Sequence, residues 1–222
     1  MTSRHVLVQR LLWAGLATAI VAAVLIIWVD IPLAHFFEGY KQTWWSRFFA
    51  AITDFASGYI WYTLCALGIG AAYVRHKRRN ANPSAFIRES RAWLFMIAAM
   101  ASSGAAINIL KVVIGRERPR FLFRDGTADF HPFSVRLSDC GFPSGHTQSI
   151  CAAMLCLWFI YPPLRWLYVA AAVLISASRV VITAHYAGDV VAGMYVAIVA
   201  VVLWRWWFER GGVPLALERT SG

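Results

Sequence analysis

Two histidines stand where an apolar chain has no packing need for them. His146 closes the string PSGH directly before a long apolar run, and His185 closes SRVVITAH four residues ahead of Asp189. A helix presents residues four apart on one face. Asp189 can therefore hold one imidazole nitrogen of His185 and leave the other free as a nucleophile. The same spacing also suits a plain His–Asp pair anchoring a helix end. Three cations accompany these groups: Lys111, Arg118 and Arg179. Near a bilayer such charges are costly unless they meet anions or water. Guanidinium forks and ammonium point charges match the oxygens of a phosphoryl group. Any one of them could instead snorkel to lipid headgroups, but three beside two histidines fit a phosphoryl site better.

The PSGH string adds an anion-binding element. Proline is tolerated near a helix start, and Ser144 or Gly145 can leave backbone N–H groups exposed there. A helix N-terminus favours an anion. His146, beside that anion, is placed to hand a proton to a departing oxygen.

The elements that must position these residues are apolar. Of 222 residues, 59% are hydrophobic and 14% charged, with mean hydropathy +0.57. A soluble domain runs nearer a quarter charged, so lipid is the expected solvent. Apolar runs cover residues 11–29, 58–74, 93–114, 146–161, 164–181 and 186–208, and residues 115–141 form a long polar interruption. The expected fold is all-α, a polytopic membrane helix bundle with about six transmembrane helices. It is read as one domain over residues 1–222, with the motif-bearing region at 111–189. The first run exceeds the roughly 7–15 apolar residues of a cleaved leader and is read as a retained span. Between runs one and two, Trp45, Phe48, Phe49 and Ile52 share a helical face opposed by Lys41, Ser46 and Arg47. That pattern suits a helix lying in the membrane interface or an ordinary connecting loop.

Gly104, Asn108 and Lys111 recur at helical spacing and are expected to face other helices. The connection after the second run is strongly basic, which points to the cytoplasm. With a cytoplasmic N-terminus, the connections after runs one, three and five share the external side, so all three polar groups can converge. The excess of Lys and Arg on the cytoplasmic side is modest.

Net charge is +10, yet the basic residues are spread over short loops rather than gathered on one face. Nucleic acid is therefore not an expected partner. Cys65, Cys151 and Cys156 lie in apolar runs and Cys140 stands alone, without a C-x-x-C pair. They read as packing residues. No cofactor motif and no compact carboxylate cluster for a metal are evident, and nothing in the sequence speaks to oligomeric state.

In order, the three stretches are KVVIGRERP (residues 111–119), PSGH (143–146) and SRVVITAHYAGD (178–189). They resemble the signature of the type 2 phosphatidic acid phosphatase family, related to vanadium haloperoxidases and bacterial acid phosphatases, whose pattern is K-x6-R-P, P-S-G-H and S-R-x5-H-x3-D. No defined position departs from it. The resemblance implies a metal-independent lipid phosphate phosphatase working through a phosphohistidine. His185 would be the nucleophile, Asp189 its orienting carboxylate and His146 the proton donor. Lys111, Arg118, Arg179, the Ser144 hydroxyl and the Gly145 N–H would bind the phosphoryl oxygens. Expected substrates are polyprenyl diphosphate, phosphatidylglycerophosphate, phosphatidic acid or lipid A 1-phosphate, met in the bilayer of a bacterial inner membrane with the site facing outward. Residues 121–142, the aromatic segment and the outer halves of the spans are expected to choose the tail. The alternatives are a noncatalytic lipid-phosphate binding or transport protein, which would need neither histidine, and a vanadate-dependent haloperoxidase.

Overall fold

The computed structural model describes residues 4–79, 83–211 and 215. The outer ends of the expected 1–222 domain thus lie outside the described residues. Each apolar run becomes a helix, and the first three helices outgrow their run. The first reaches from α1 (Arg4–Val24) through a π-helical turn at Leu25–Val29 into α2 (Asp30–Glu38), so the charge at Asp30 does not end it. α3 (Trp44–Ile52) and a 3₁₀ turn at Thr53–Ala56 lead at an angle of 44° into α4 (Gly58–Arg78). α5 (Pro83–Ile114) begins ten residues before its apolar run. A short α6 (Pro119–Asp125) sits in the polar interruption, followed by α7 (Gly145–Ile160), α8 (Arg165–Val181) and α9 (Ala187–Glu209).

Among the described residues, four helical segments can cross a membrane by length and composition: Arg4–Glu38, Pro83–Ile114, Pro162–Val181 and Ala187–Glu209. The bent α3–α4 pair makes a fifth. The remaining expected span, α7, is a shorter apolar helix: its 16 residues rise about 24 Å against a hydrocarbon core of about 30 Å. The chain is an integral membrane protein.

Helix α7 can be short because protein, not lipid, surrounds it. Ile150, Ala152, Ala153 and Cys156 are fully buried, and α4, α5, α8 and α9 all pack against it. A helix apolar all round belongs in such a core. Small residues let helix backbones approach where lipid removes the hydrophobic drive for association. At the other extreme, the first span turns Trp13 and Trp28 outward, and α1 packs along α9. There the Tyr195 hydroxyl donates to the Leu11 carbonyl at 2.8 Å, and a Cβ on Gly15 would lie 2.5 Å from the same hydroxyl. Cys65, Cys151 and Cys156 are core residues, and Cys140 is buried in the polar loop.

Ser46 departs from its expected place on a polar face. It is the buried residue of α3, whereas Phe48 is about half exposed. The helix packs on α8, and the small serine permits that approach.

Candidate active site

The C-terminal ends of α5 and α8 and the N-terminal ends of α7 and α9 meet at one end of the bundle. Residues 115–144 fold over that end. Glu117 organises this loop: its carboxylate accepts from Thr127 Oγ1 at 2.8 Å, from the Asp129 N–H at 3.1 Å and from His131 Nε2 at 3.1 Å. Burial opposes its ionisation, but these hydrogen bonds hold the carboxyl below its ordinary range. Gly115 turns the chain at φ 63°, where a Cβ would collide with the His131 carbonyl.

The loop sets two cations side by side. Lys111 Nζ donates to the Cys140 carbonyl at 2.7 Å, and Arg118 Nε reaches the same oxygen at 3.4 Å. Burial first, then the neighbouring Arg120, holds the Arg118 guanidinium below its ordinary value. One carbonyl does not balance two positive charges, and cations so placed suit an anionic group.

Both cations line a cavity of about 340 Å³ together with Gly145, His146 and His185. The two imidazole centroids lie 6.5 Å apart. His185 is buried, and neither of its ring nitrogens has a hydrogen-bond partner among the described residues. Burial, with Arg118 and Arg179 against it and Asp189 in its favour, lowers its pKa from 6.5 to about 4. The ring is thus neutral, with a lone pair to give, across the physiological range.

Helix ends aim these rings. Thr183, at φ 52°, breaks α8 in a left-handed conformation that β-branched residues rarely adopt. Its hydroxyl donates to Glu38 at 3.1 Å, and the Ala184 and His185 N–H groups return to the Arg179 carbonyl at 3.0 Å. At the other ring, the Phe142–Pro143 peptide is cis and Ser144 caps α7. The Ser144 N–H donates to the Asp189 carbonyl at 2.9 Å, and a Cβ on Gly193 would clash with the Ser144 carbonyl.

The structure brings the eight sequence-selected residues to one end but gives them unequal places. Lys111, Arg118, Gly145, His146 and His185 line the cavity. Ser144 is fully buried, and its Oγ accepts from the Thr147 N–H at 3.3 Å and the Thr147 hydroxyl at 3.1 Å. It therefore acts as a helix cap. Arg179 is buried and donates to Thr53 Oγ1 at 2.8 Å, with its Nε unpartnered. Asp189 Oδ2 lies 3.5 Å from His185 Nδ1, longer than an N–H···O hydrogen bond, while accepting from the Tyr186 N–H at 3.0 Å.

Residues 121–142 do not line this cavity; Ala56, Gly58 and Tyr62 do, with Gly104 and Asn108 of α5. Thr53, Tyr62, Asp30 and Arg116 escaped the sequence reading. Asp30 had a signal, since a lone carboxylate closing an apolar run is expensive in a membrane.

The sequence model of the PAP2 superfamily matches residues 92–212. The chain belongs to the PAP2 superfamily. Among PAP2 relatives, a protein named lipid A 1-phosphatase from Rhizobium etli is 34% identical over 100 residues, 45% of this chain and 43% of that one. Another lipid A 1-phosphatase, from Rhizobium johnstonii, is 37% identical over 92 residues, 41% of this chain and 38% of that one. The alignments thus span less than half the length of these relatives. A crystal structure of a transmembrane PAP2-type phosphatidylglycerolphosphate phosphatase from Bacillus subtilis covers 95% of this chain and 98% of its own, with a TM-score of 0.66 and 20% identity. At that identity the likeness speaks for the PAP2 fold.

Proposed function

We propose that the chain hydrolyses a phosphate ester of a membrane lipid through a phosphohistidine at His185. The observation that carries this is the pair of imidazoles, 6.5 Å apart, lining one cavity with Lys111 and Arg118. Neutral His185 attacks phosphorus, and His146 gives its proton to the leaving lipid oxygen. His146 then takes a proton from the water that releases phosphate. Asp189 steadies the imidazole, and its 3.5 Å contact tightens once the ring becomes positive. Lys111, Arg118 and Arg179 offset the charge that gathers on the nonbridging oxygens, which is the chief demand of phosphoryl transfer. The Gly145 N–H at the α7 terminus assists. In this scheme fixed cations fill the place of a divalent metal.

Lipid A 1-phosphate is the first substrate to test, because both named relatives are lipid A 1-phosphatases. Phosphatidylglycerophosphate, phosphatidic acid and polyprenyl diphosphate follow. The opposite end of the bundle carries Arg75, Lys77 and Arg78 on α4, Arg79 at its C-cap, and Arg88 and Arg91 on α5. The positive-inside tendency assigns that end to the cytoplasm and the active site to the outer face of a bacterial inner membrane. Pure binding would not need two histidines on the cavity wall, so catalysis is the better reading.

The test is phosphate release by purified protein from each of the four lipids, with and without chelator, beside His185→Ala. One lipid should dominate, chelator should leave the rate unchanged, and the variant should be inert. Equal rates for wild type and variant would remove the enzyme reading, and a restorable requirement for Mg²⁺ would remove its metal independence.

A further inference from the structure

A buried ion cluster joins the first span to the catalytic carboxylate. Arg116 Nη1 lies 2.8 Å from Asp30 Oδ2 and 2.8 Å from Asp189 Oδ1. Arg116 is 2% exposed and the two carboxylates 1% or less. The partners come from three distant parts of the chain. Taking such charges out of water costs several kcal/mol per ion, so folding alone does not explain why the cluster is there.

The geometry around Asp30 is built to deliver it. The π-helical turn at Leu25–Val29 comes directly before it, and such turns redirect a helix, frequently at functional sites. Asp30 points inward from a span whose other side chains mostly face out. Its Oδ1 accepts from the Gly188 N–H at 3.0 Å, and a Cβ on Gly188 would lie 2.9 Å from its Oδ2. The Arg116 guanidinium stacks on the Tyr186 ring at 4.2 Å. Neither Asp30 nor Arg116 lines the substrate cavity. Asp30 also lies outside residues 92–212, the stretch matched by the family.

We infer that Asp30 and Arg116 are positioning residues for catalysis, with Arg116 holding Asp189 against His185 and Asp30 holding Arg116. Asp189 has two oxygens. Arg116 takes one, and the Tyr186 N–H takes the other, the one facing His185 Nδ1. This fixes the carboxylate plane relative to the imidazole. It also draws off part of the Asp189 charge, so His185 stays a free base while Asp189 remains near enough to steady the phosphorylated ring. Asp30 keeps the guanidinium from swinging into the neighbouring cation cradle.

The inference rests on the phosphatase reading above, and its test separates the two. Wild type, Asp30→Asn, Arg116→Gln and the double variant Asp30→Asn/Arg116→Gln are assayed for kcat, KM, pH profile and thermal midpoint in detergent. Asp30→Asn is nearly isosteric. The double variant removes Asp30 and Arg116 together, so neither is left facing the gap of the other, and Asp189 keeps its bond from the Tyr186 N–H.

The double variant should stay folded, with a thermal midpoint above that of Arg116→Gln, yet lose about 100-fold in kcat, the scale expected when a reacting group is misplaced by about 1 Å. Its KM should move less than about twofold, because neither residue reaches substrate. The groups around His185 are Asp189 on α9, Arg118 on the loop, Arg179 on α8, His146 on α7 and Lys111 on α5. With those unchanged and Arg116 gone, the full Asp189 charge acts on the imidazolium, so the acid limb of kcat/KM should move to higher pH. A double variant that regains both stability and wild-type kcat would overturn the inference and leave the cluster a packing device. A wild type inert on every lipid phosphate would instead overturn the phosphatase reading itself.

Discussion

Within eight residues the chain holds two kinds of cation. Lys111 and Arg118 share one carbonyl oxygen and face an open cavity, whereas Arg116 is clamped between two carboxylates and closed off. Arg116 and Arg118 are the same residue type, and they differ in partners and in burial. An unbalanced cation in a low-dielectric wall waits for an anionic ligand, while a balanced one holds other groups in place. Charge in this protein is informative only together with what neutralises it.

The sharpest way to break the comparison is to remove a waiting cation. Lys111→Met or Arg118→Met should each lower kcat/KM by about 100- to 1,000-fold, the cost of deleting one transition-state donor from a preorganised site. Steady-state kinetics at fixed lipid mole fraction read this directly. Loss no larger than that of an exposed arginine would erase the distinction.

A pH series comes next. Buried His185 has a pKa near 4, against 6.5 for the free side chain. The unfolded chain therefore binds this proton first. Its contribution to stability is complete above pH 6.5 and is lost as pH falls toward 4. The acid limb of kcat/KM assigned to this base should lie near pH 4, and thermal midpoints should fall across the same window. An acid limb near 6.5 would mean that His185 is better solvated than its position indicates.

Smaller effects sharpen the picture. Gly193→Ala pushes a methyl at the Ser144 carbonyl, and should cost about 1–3 kcal/mol by overpacking and slow turnover by shifting the α7 terminus. A melt and a rate on the same sample check both. Asp139→Ala removes an exposed ion pair with Arg120, and should change stability by no more than about 1 kcal/mol and leave kcat alone.

The apolar runs were enough to locate every long helix, because side chains in lipid leave an uninterrupted hydrophobic trace. They misjudged ends. Asp30 looked like the close of the first span, but a buried salt bridge lets the helix pass it. Length did not reveal that α7 is enclosed by protein, since an enclosed helix and a lipid-facing one read alike. His146, His185 and the cation cradle were legible because their spacing serves local chemistry. Arg116 was not: its partners lie 86 and 73 residues away, and nothing nearby sets it apart from Arg118. Ser144 was read for phosphate binding alone, since nothing in its type separates that role from the helix cap it also forms.

The most direct test is rapid quenching of wild type and His185→Ala with lipid substrate radiolabelled on phosphorus. Base-stable, acid-labile label mapping to His185 in the wild type, and absent from the variant, is the predicted result. Equal label in both proteins, or turnover by His185→Ala at the wild-type rate, would contradict the account.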